Sequence, residues 1–133
     1  MAPKNNNLKT RLKETEYEAI DRLFVYGTLQ SGQSRNYILR GLSFEKAMLS
    51  EHRKEVPPEL GFPFIVQDER SYVDGEIYFG LEQSHWSQID LIEGEGSLYH
   101  RILVEVEIMS KGKKIIAYTY YPSEDLIERY SEK

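Results

Sequence analysis

The chain has 133 residues, of which 40% are hydrophobic and 12% aromatic, and this composition favours one compact domain with an apolar core. The formal net charge is -5 and no basic stripe is present, which argues against a nucleic-acid partner. Because the chain has no cysteine, disulfides, thiol nucleophiles and cysteine-based metal sites are excluded.

The first residues form a polar segment rich in Lys and Asn. They lack the apolar core of a signal peptide, and no later segment approaches the ~18 apolar residues of a membrane span. We therefore expect a cytoplasmic protein with no membrane partner. Residues 1–20 are predicted to be a partly disordered arm with a weak helix over residues 8–20, and residues 21–133 a single domain.

The first half of the domain is predicted to consist mostly of strands. The run LFVYGT, residues 23–28, has the composition of a buried strand, and the LQSGQS that follows is typical of a turn. RNYILRGL predicts a short helix. FEKAMLS and FPFIV predict two strands separated by the proline-containing KEVPPELG. In SYVDGEIYFG, residues 71–80, an apolar face alternates with a face that carries Tyr72, Asp74, Glu76 and Tyr78, which predicts a half-buried strand.

The second half is predicted to be a helix, a hairpin and a second helix. Residues 82–93 contain no Pro or Gly and stop at Gly94, as a helix with a left-handed glycine cap does. YHRILVEVEIM and IIAYTYYP flank the turn SKGK and predict a long hairpin. Residues 124–130 predict a last short helix. This order of elements favours an α+β domain built on a curled sheet or small barrel.

A carboxylate lies on the apolar side of the first long helix. At about 100° per residue, Trp86, Ile89 and Ile92 form an apolar arc, and Glu93 falls inside it. Burial and the negative end of the helix dipole both favour the protonated acid, so we expect a raised pKa for Glu93. Such a group suits proton transfer near neutral pH. The alternative is a solvated surface glutamate, and Glu95 is a weaker competing candidate.

The loop after the first strand is a second candidate site. A strand that runs into the VYGTLQSG turn leaves unpaired backbone N–H groups, which can donate hydrogen bonds to an anion such as a carboxylate. The alternative is that the glycine simply makes a turn. His52, His85 and His100 show no metal-ligand spacing, and no serine lies in a GxSxG elbow. We therefore expect no metal and no cofactor.

Six motifs occur in order along residues 23–121: FVYGTL, GFPFIV, VDGEIY, IDLIEG, LYHR and AYTYY. With them the chain resembles the γ-glutamylcyclotransferase-like superfamily, and most closely its short members related to γ-glutamylamine cyclotransferase. The resemblance implies a small mixed β-barrel with flanking short helices. It also implies a pocket between the YGTL loop and the glutamate that ends the helix.

The resemblance also implies roles for individual residues. Glu93 matches the family's general acid/base, and Tyr120 matches a tyrosine that lines the pocket. The residues that match the family's glutamyl-binding loop are Tyr26, Gly27, Thr28 and Leu29. A hydroxyl, from Tyr120 or Tyr99, is expected to polarise or position the reacting end of the substrate. The chain departs from the family in one respect, because relatives commonly carry a His where this sequence has Arg35, Asn36 and Tyr37.

The reaction implied by the resemblance is intramolecular. The α-amine of a γ-glutamyl amine or amino acid attacks its own γ-carbonyl, which releases the amine and forms 5-oxoproline. The expected partner is thus a small-molecule γ-glutamyl substrate. Two alternatives stay open: a non-catalytic domain that binds an amino acid derivative, and an interaction module that uses a tyrosine-rich surface. The sequence predicts neither the leaving amine nor the oligomeric state.

Overall fold

Five strands close into a barrel in the computed structural model, which describes residues 20–60, 63–94 and 98–130. In chain order the elements are β1 (Leu23–Val25), a 3₁₀ helix (Asn36–Leu39), β2 (Phe44–Glu55), β3 (Phe64–Tyr78), α1 (Gln83–Glu93), β4 (Tyr99–Ile108), β5 (Lys113–Pro122) and α2 (Glu124–Tyr130). The order around the barrel is β1-β3-β2-β4-β5.

Most neighbouring strands are antiparallel, whereas β1 closes the barrel by pairing in parallel with β5. The predicted α+β class, with a small mixed barrel and flanking short helices, is therefore confirmed. The hairpin, the helix that stops at Gly94 and the last short helix also lie where the sequence places them. The predicted arm lies outside the described residues except for Ile20, which is buried with Leu103.

The prediction of a strand over residues 23–28 is wrong in length, because β1 ends at Val25. The residues that follow hydrogen-bond within their own loop instead of with a neighbouring strand. Gln30 N–H donates to the Gly27 carbonyl at 3.1 Å, and Arg35 N–H donates to the Thr28 carbonyl at 2.9 Å. The YGTL motif is therefore a folded loop at the end of a three-residue strand.

The two strands predicted at FPFIV and SYVDGEIYFG are one irregular strand, β3. Its pairing with β2 shifts register opposite the segment Ser50 to His52. At this point Asp68 accepts hydrogen bonds from the Arg70 backbone N–H and the Ser71 hydroxyl. The polar residues between the two predicted strands thus form a bulge, which bends the strand without ending it.

The solvated face predicted for residues 71–80 is wrong at its second half. Glu76 is 5% exposed and Tyr78 is 2% exposed. The loop that follows β1 covers this face, since both the backbone N–H and the hydroxyl of Ser31 donate to the Glu76 carboxylate, at 2.8 and 2.6 Å. Alternation along β3 did not reveal this cover because Ser31 comes from a distant part of the sequence.

Two apolar clusters pack on opposite faces of the barrel sheet. One includes Phe24, Val73, Ile77, Val104 and Val106, and the other includes Leu23, Leu39, Tyr78, Trp86 and Ile89. Successive residues of β1 and β3 contribute to opposite clusters, as alternating side chains of a strand must. Because the second cluster includes residues of α1 and the 3₁₀ helix, the fold buries both faces of the sheet at one end.

Gly75 allows β1 to lie close against β3. A Cβ atom at this position would meet the Val25 carbonyl oxygen at 2.3 Å and the Phe24 ring at 2.7 Å. The first of these contacts is with backbone and cannot be relieved by rotating a side chain. A glycine is therefore required in this strand for steric reasons.

We predict that Gly75→Ala destabilises the fold by about 2–4 kcal/mol, because the strands must separate to admit the methyl group. Urea denaturation followed by circular dichroism measures the loss. Gly41→Ala is the matched control, since a Cβ atom at this position meets nothing within 4 Å. Only the left-handed backbone of Gly41, at φ +88°, is strained by a side chain. We expect this strain to cost about 1–2 kcal/mol. An equal loss in the two variants would contradict the steric explanation.

Candidate active site

One cleft, with a volume of about 110 Å³, gathers the residues that the sequence analysis assigned to a site. The residues from that assignment that line it are Tyr26, Gly27, Thr28, Leu29, Glu93, Tyr99 and Tyr120. They come from the loop after β1, the end of α1, the start of β4 and the end of β5. The lining also includes Arg35 and Pro63, which the sequence analysis did not place there.

The end of α1 positions Glu93 at this cleft. The helix begins with a capping box between Glu82 and His85, and it ends at Gly94, whose backbone is left-handed with φ 65° and ψ 45°. The buried side of the helix carries Trp86 and Ile89, and Glu93 is half-buried. The helical phase read from the sequence therefore gives the observed direction of the Glu93 side chain.

Burial raises the pKa of Glu93 to about 7, against a smaller opposite effect from the positive charge of Arg35. The direction is the one expected from the sequence, and desolvation is its main cause. A carboxyl group with this pKa exchanges a proton easily near neutral pH, which is the property required of a general acid/base.

The three tyrosines of the cleft donate their hydroxyl protons to the protein. Tyr26 donates to the Tyr120 carbonyl at 2.6 Å, Tyr99 to the Pro63 carbonyl at 2.8 Å, and Tyr120 to an Asp90 carboxylate oxygen at 2.5 Å. In this arrangement the hydroxyl protons of Tyr99 and Tyr120 are directed to protein acceptors, and the expectation that one of them polarises or positions the substrate stays a prediction. The phenolic oxygens retain the capacity to accept hydrogen bonds.

Burial also raises the pKa of each of these phenols above the usual tyrosine value. They consequently remain protonated at neutral pH and do not serve as bases there. Among the described residues that line the cleft, Glu93 is the acid whose pKa lies near neutrality.

An anchor that the sequence analysis missed holds the last turn of α1 against the hairpin. Asp90 accepts the hydrogen bond from Tyr120, and its other carboxylate oxygen lies 3.5 Å from the Arg101 guanidinium. That guanidinium also lies over the rings of Trp86, at 4.7 Å, and Tyr118, at 5.3 Å. One indication of this anchor was present in the sequence: Asp90 in IDLIEG and Arg101 in LYHR each place a charge in a predicted apolar element.

A second anchor holds the loop that follows β1. Besides Ser31, the Glu76 carboxylate accepts the Tyr78 hydroxyl at 3.0 Å. The Asn36 amide bridges from this network to the loop, because it donates to the Tyr78 hydroxyl oxygen at 2.9 Å and to the Leu29 carbonyl at 2.8 Å. The buried carboxylate thus fixes the loop that forms one side of the cleft.

Within that loop, the backbone N–H groups of residues 27–29 make no hydrogen bond to any residue in the described part of the chain. These are the groups that the sequence analysis proposed for anion binding. Gly27 does not have a left-handed backbone. The need for a glycine at position 27 is instead explained by Pro63, because a ring carbon of Pro63 would lie 2.9 Å from an added Cβ atom.

Other candidates from the sequence are less informative. The competing candidate Glu95 lies outside the described residues. Across residues 20–60, 63–94 and 98–130, no group of three or more His, Asp or Glu side chains is arranged to hold a metal ion. In those same ranges no helix has the length and apolar content needed to cross a bilayer.

The comparisons with known families agree with this architecture. The family model for Gamma-glutamyl cyclotransferase, AIG2-like proteins matches residues 23–132. The chain belongs to this family. The resemblance drawn from the six sequence motifs is thereby confirmed, and the matched region contains the whole barrel and all residues of the cleft.

Relatives of this AIG2-like chain include Protein AIG2 C of Arabidopsis thaliana, which is 29% identical over 99 residues. The match covers 74% of this chain but only 59% of the Arabidopsis protein, so the chain spans less than two thirds of that relative. A solution structure from Arabidopsis thaliana has a TM-score of 0.70 at 22% identity, and covers 86% of this chain and 76% of its own.

A further solved structure, named gamma-glutamyl cyclotransferase, has a TM-score of 0.64 at 21% identity and covers 77% of this chain and 66% of its own. At these identities the two structures establish a shared fold.

The raised pKa of Glu93 predicts a pH-dependent stability. Its folded value of about 7 lies above the ordinary 4.5, so the folded protein binds more protons than the unfolded chain between these values, and stability falls as pH rises through this range. Glu93→Gln removes the titration. We expect the variant to be more stable than wild type by roughly 1–3 kcal/mol above pH 7, and the difference to vanish below pH ~4.5.

Thermal unfolding of both proteins between pH 4 and 8 measures this difference. Glu128→Gln, on the exposed side of α2, is the matched control for the loss of one negative charge. A Glu93→Gln protein that is no more stable than wild type at pH 8 would show that Glu93 is not desolvated in the fold.

Proposed function

We propose that this protein is a γ-glutamylcyclotransferase-type enzyme. It converts a γ-glutamyl amine or γ-glutamyl amino acid into 5-oxoproline and releases the amine. The single observation that carries the proposal is the half-buried Glu93, with a pKa of about 7, facing a loop whose backbone donors are unused by the described residues. The family to which the chain belongs supports the reaction class.

The reaction requires protons to move between two nitrogens. The α-ammonium cannot attack until it loses a proton, and the Glu93 carboxylate accepts that proton. The free amine then forms a bond to the γ-carbonyl carbon and gives a tetrahedral intermediate. Glu93 returns its proton to the leaving nitrogen, the old carbon–nitrogen bond breaks, and the lactam remains. The attacking nitrogen loses a second proton as the ring closes, which the same carboxylate or the released amine takes up.

Substrate orientation is assigned to the loop after β1. The N–H groups of residues 27–29 are proposed to bind the α-carboxylate of the glutamyl group. The phenolic oxygen of Tyr120 is proposed to accept a hydrogen bond from the ammonium. Holding the glutamyl chain curled makes the attack intramolecular, and well-oriented reactions of this kind reach effective molarities of ~10⁵–10⁸ M.

A non-catalytic binding domain would use the same cleft without turnover. The raised pKa of Glu93 favours the enzyme, because a domain that only binds an amino acid derivative has no need for a desolvated carboxyl group beside the ligand. Formation of 5-oxoproline distinguishes the two functions, since binding alone produces none.

We expect the purified protein to release 5-oxoproline from a panel of γ-glutamyl amines and amino acids, measured by chromatography at pH 8. Glu93→Gln should lower the rate by ~10²–10⁴-fold, because the amide retains the shape of the side chain but cannot carry the proton. Glu95→Gln is the matched control, since it removes the competing glutamate of the sequence run IEGEG.

The wild-type value of kcat/KM should rise with pH through about 7, as Glu93 loses its proton and becomes the base. Retention of more than about a tenth of the rate in Glu93→Gln would remove that residue from the mechanism. Binding of a panel member with no 5-oxoproline above the uncatalysed level would favour the binding domain.

We also expect Gly27→Ala to weaken substrate binding by ~10-fold or more, because the added methyl displaces Pro63 at the edge of the cleft. Binding is measured by calorimetry in the Glu93→Gln background, where substrate persists. Gly32→Ala, in the same loop, has open space around its Cβ and a left-handed backbone at φ +81°, so it is the control for strain in the loop without a contact at the cleft. Equal affinities in the two variants would argue against a glutamyl site at this loop.

A further inference from the structure

We propose that Arg35 binds a carboxylate on the leaving amine, so that the protein prefers γ-glutamyl amino acids to γ-glutamyl amines without that carboxylate. The inference rests on the proposed function and adds a substrate class to it. Arg35 lies outside the six sequence motifs, so they assigned no role to its side chain.

The position of Arg35 supports this role. Arg35 lines the cleft together with Glu93, and its positive charge acts on the Glu93 carboxyl group. Its backbone N–H is fixed by the Thr28 carbonyl at 2.9 Å, and the next residue, Asn36, is held by the Leu29 carbonyl and the Tyr78 hydroxyl. The guanidinium is therefore carried on an anchored part of the loop and not on a free segment.

The Arg35 guanidinium is not paired with any group in the part of the chain that the structure describes. Within the described residues it makes no hydrogen bond and no ion pair, and the residue is only partly exposed. Its charge acts on the nearby Glu93, but no salt bridge joins the two groups. A partly buried arginine in this situation is suited to a planar anion, and its fork of N–H donors matches a carboxylate.

A γ-glutamyl amino acid has two carboxylates, and the one that Arg35 binds is inferred from the positions of the loop N–H groups and of Glu93. The α-carboxylate is already assigned to the backbone N–H groups of residues 27–29. Glu93 must reach the leaving nitrogen to protonate it, and in a γ-glutamyl amino acid the second carboxylate is attached to the carbon next to that nitrogen. A cation beside Glu93 is therefore placed for the second carboxylate.

The net charges are consistent with this assignment. A γ-glutamyl amino acid carries two carboxylates and one ammonium, whereas a γ-glutamyl monoamine carries one of each. The additional negative charge needs a partner once it is removed from water. Arg35 supplies one, and without it the second carboxylate would enter the cleft close to Glu93 with no compensating cation among the described lining residues.

The test compares γ-glutamyl-alanine with γ-glutamylethylamide, which is the same molecule without the leaving-group carboxylate. Affinities are measured by calorimetry in the Glu93→Gln protein, with and without Arg35→Gln. We expect γ-glutamyl-alanine to bind more tightly than the ethylamide, and Arg35→Gln to reduce the ratio of the two affinities by at least ~10-fold. Arg35→Lys should retain part of the ratio, because it keeps the charge but loses the fork.

Arg40→Gln, an exposed arginine that follows the 3₁₀ helix, is the matched control and should leave the ratio as in the parent protein. Circular dichroism verifies that each variant is folded. Equal affinities for the two compounds in the parent protein would overturn the inference. An equal loss of both affinities in Arg35→Gln would also overturn it, because Arg35 would then serve the α-carboxylate common to both.

Binding is measured apart from turnover, so the two proposals fail in different ways. A preference for γ-glutamyl-alanine that depends on Arg35, with no 5-oxoproline formed by the unmodified protein, supports the carboxylate site and refutes the cyclotransferase activity. Formation of 5-oxoproline at equal kcat/KM from both compounds supports the activity and refutes the assigned specificity.

Discussion

The attachment of α1 to the β4–β5 hairpin through Asp90 is the interaction on which the cleft depends. Asp90 lies about one helical turn before Glu93. Its carboxylate accepts a hydrogen bond from the Tyr120 hydroxyl and pairs with the Arg101 guanidinium. A helix end is held by few backbone hydrogen bonds and tends to fray. Here a side-chain contact to the barrel and a left-handed cap at Gly94 hold that end. The direction of the Glu93 side chain is fixed as a result.

Once the helix is held in this way, burial has a larger effect on the pKa of Glu93 than the nearby positive charge has. Desolvation raises its pKa, whereas Arg35 lowers it by a smaller amount. A direct salt bridge would reverse this balance and make the carboxyl group a permanent anion. The spacing of the two charges therefore matters for chemistry: the cleft retains a titrating acid and a cation instead of a closed ion pair.

The sequence predicted those parts of the fold that depend on local patterns. The stop of α1 at Gly94, the hairpin and the phase that buries Glu93 follow from caps, alternation and helical period. The extent of β1 and the burial of Glu76 could not be predicted in this way, because they depend on the loop that folds back over β3.

The hydrogen-bond partners in the cleft also could not be predicted from local sequence patterns. The Tyr26 hydroxyl meets a carbonyl 94 residues away, and the Tyr120 hydroxyl meets a carboxylate 30 residues away. Sequence motifs identified these tyrosines as part of one site. The direction in which each hydroxyl donates follows from the closed barrel, which brings the ends of β1, α1 and β5 together.

The two anchors of the cleft are separate, which has a consequence for substrate choice. Asp90 secures the end of α1, whereas Glu76 secures the loop through Ser31, Tyr78 and Asn36. The Arg35 side chain takes part in neither network, since only its backbone is tied to the loop. A different side chain at this position would leave both anchors in place. Under the proposed function, the fold can therefore keep Glu93 fixed while the charge at the proposed site of the leaving amine varies, so the fold alone does not specify the substrate.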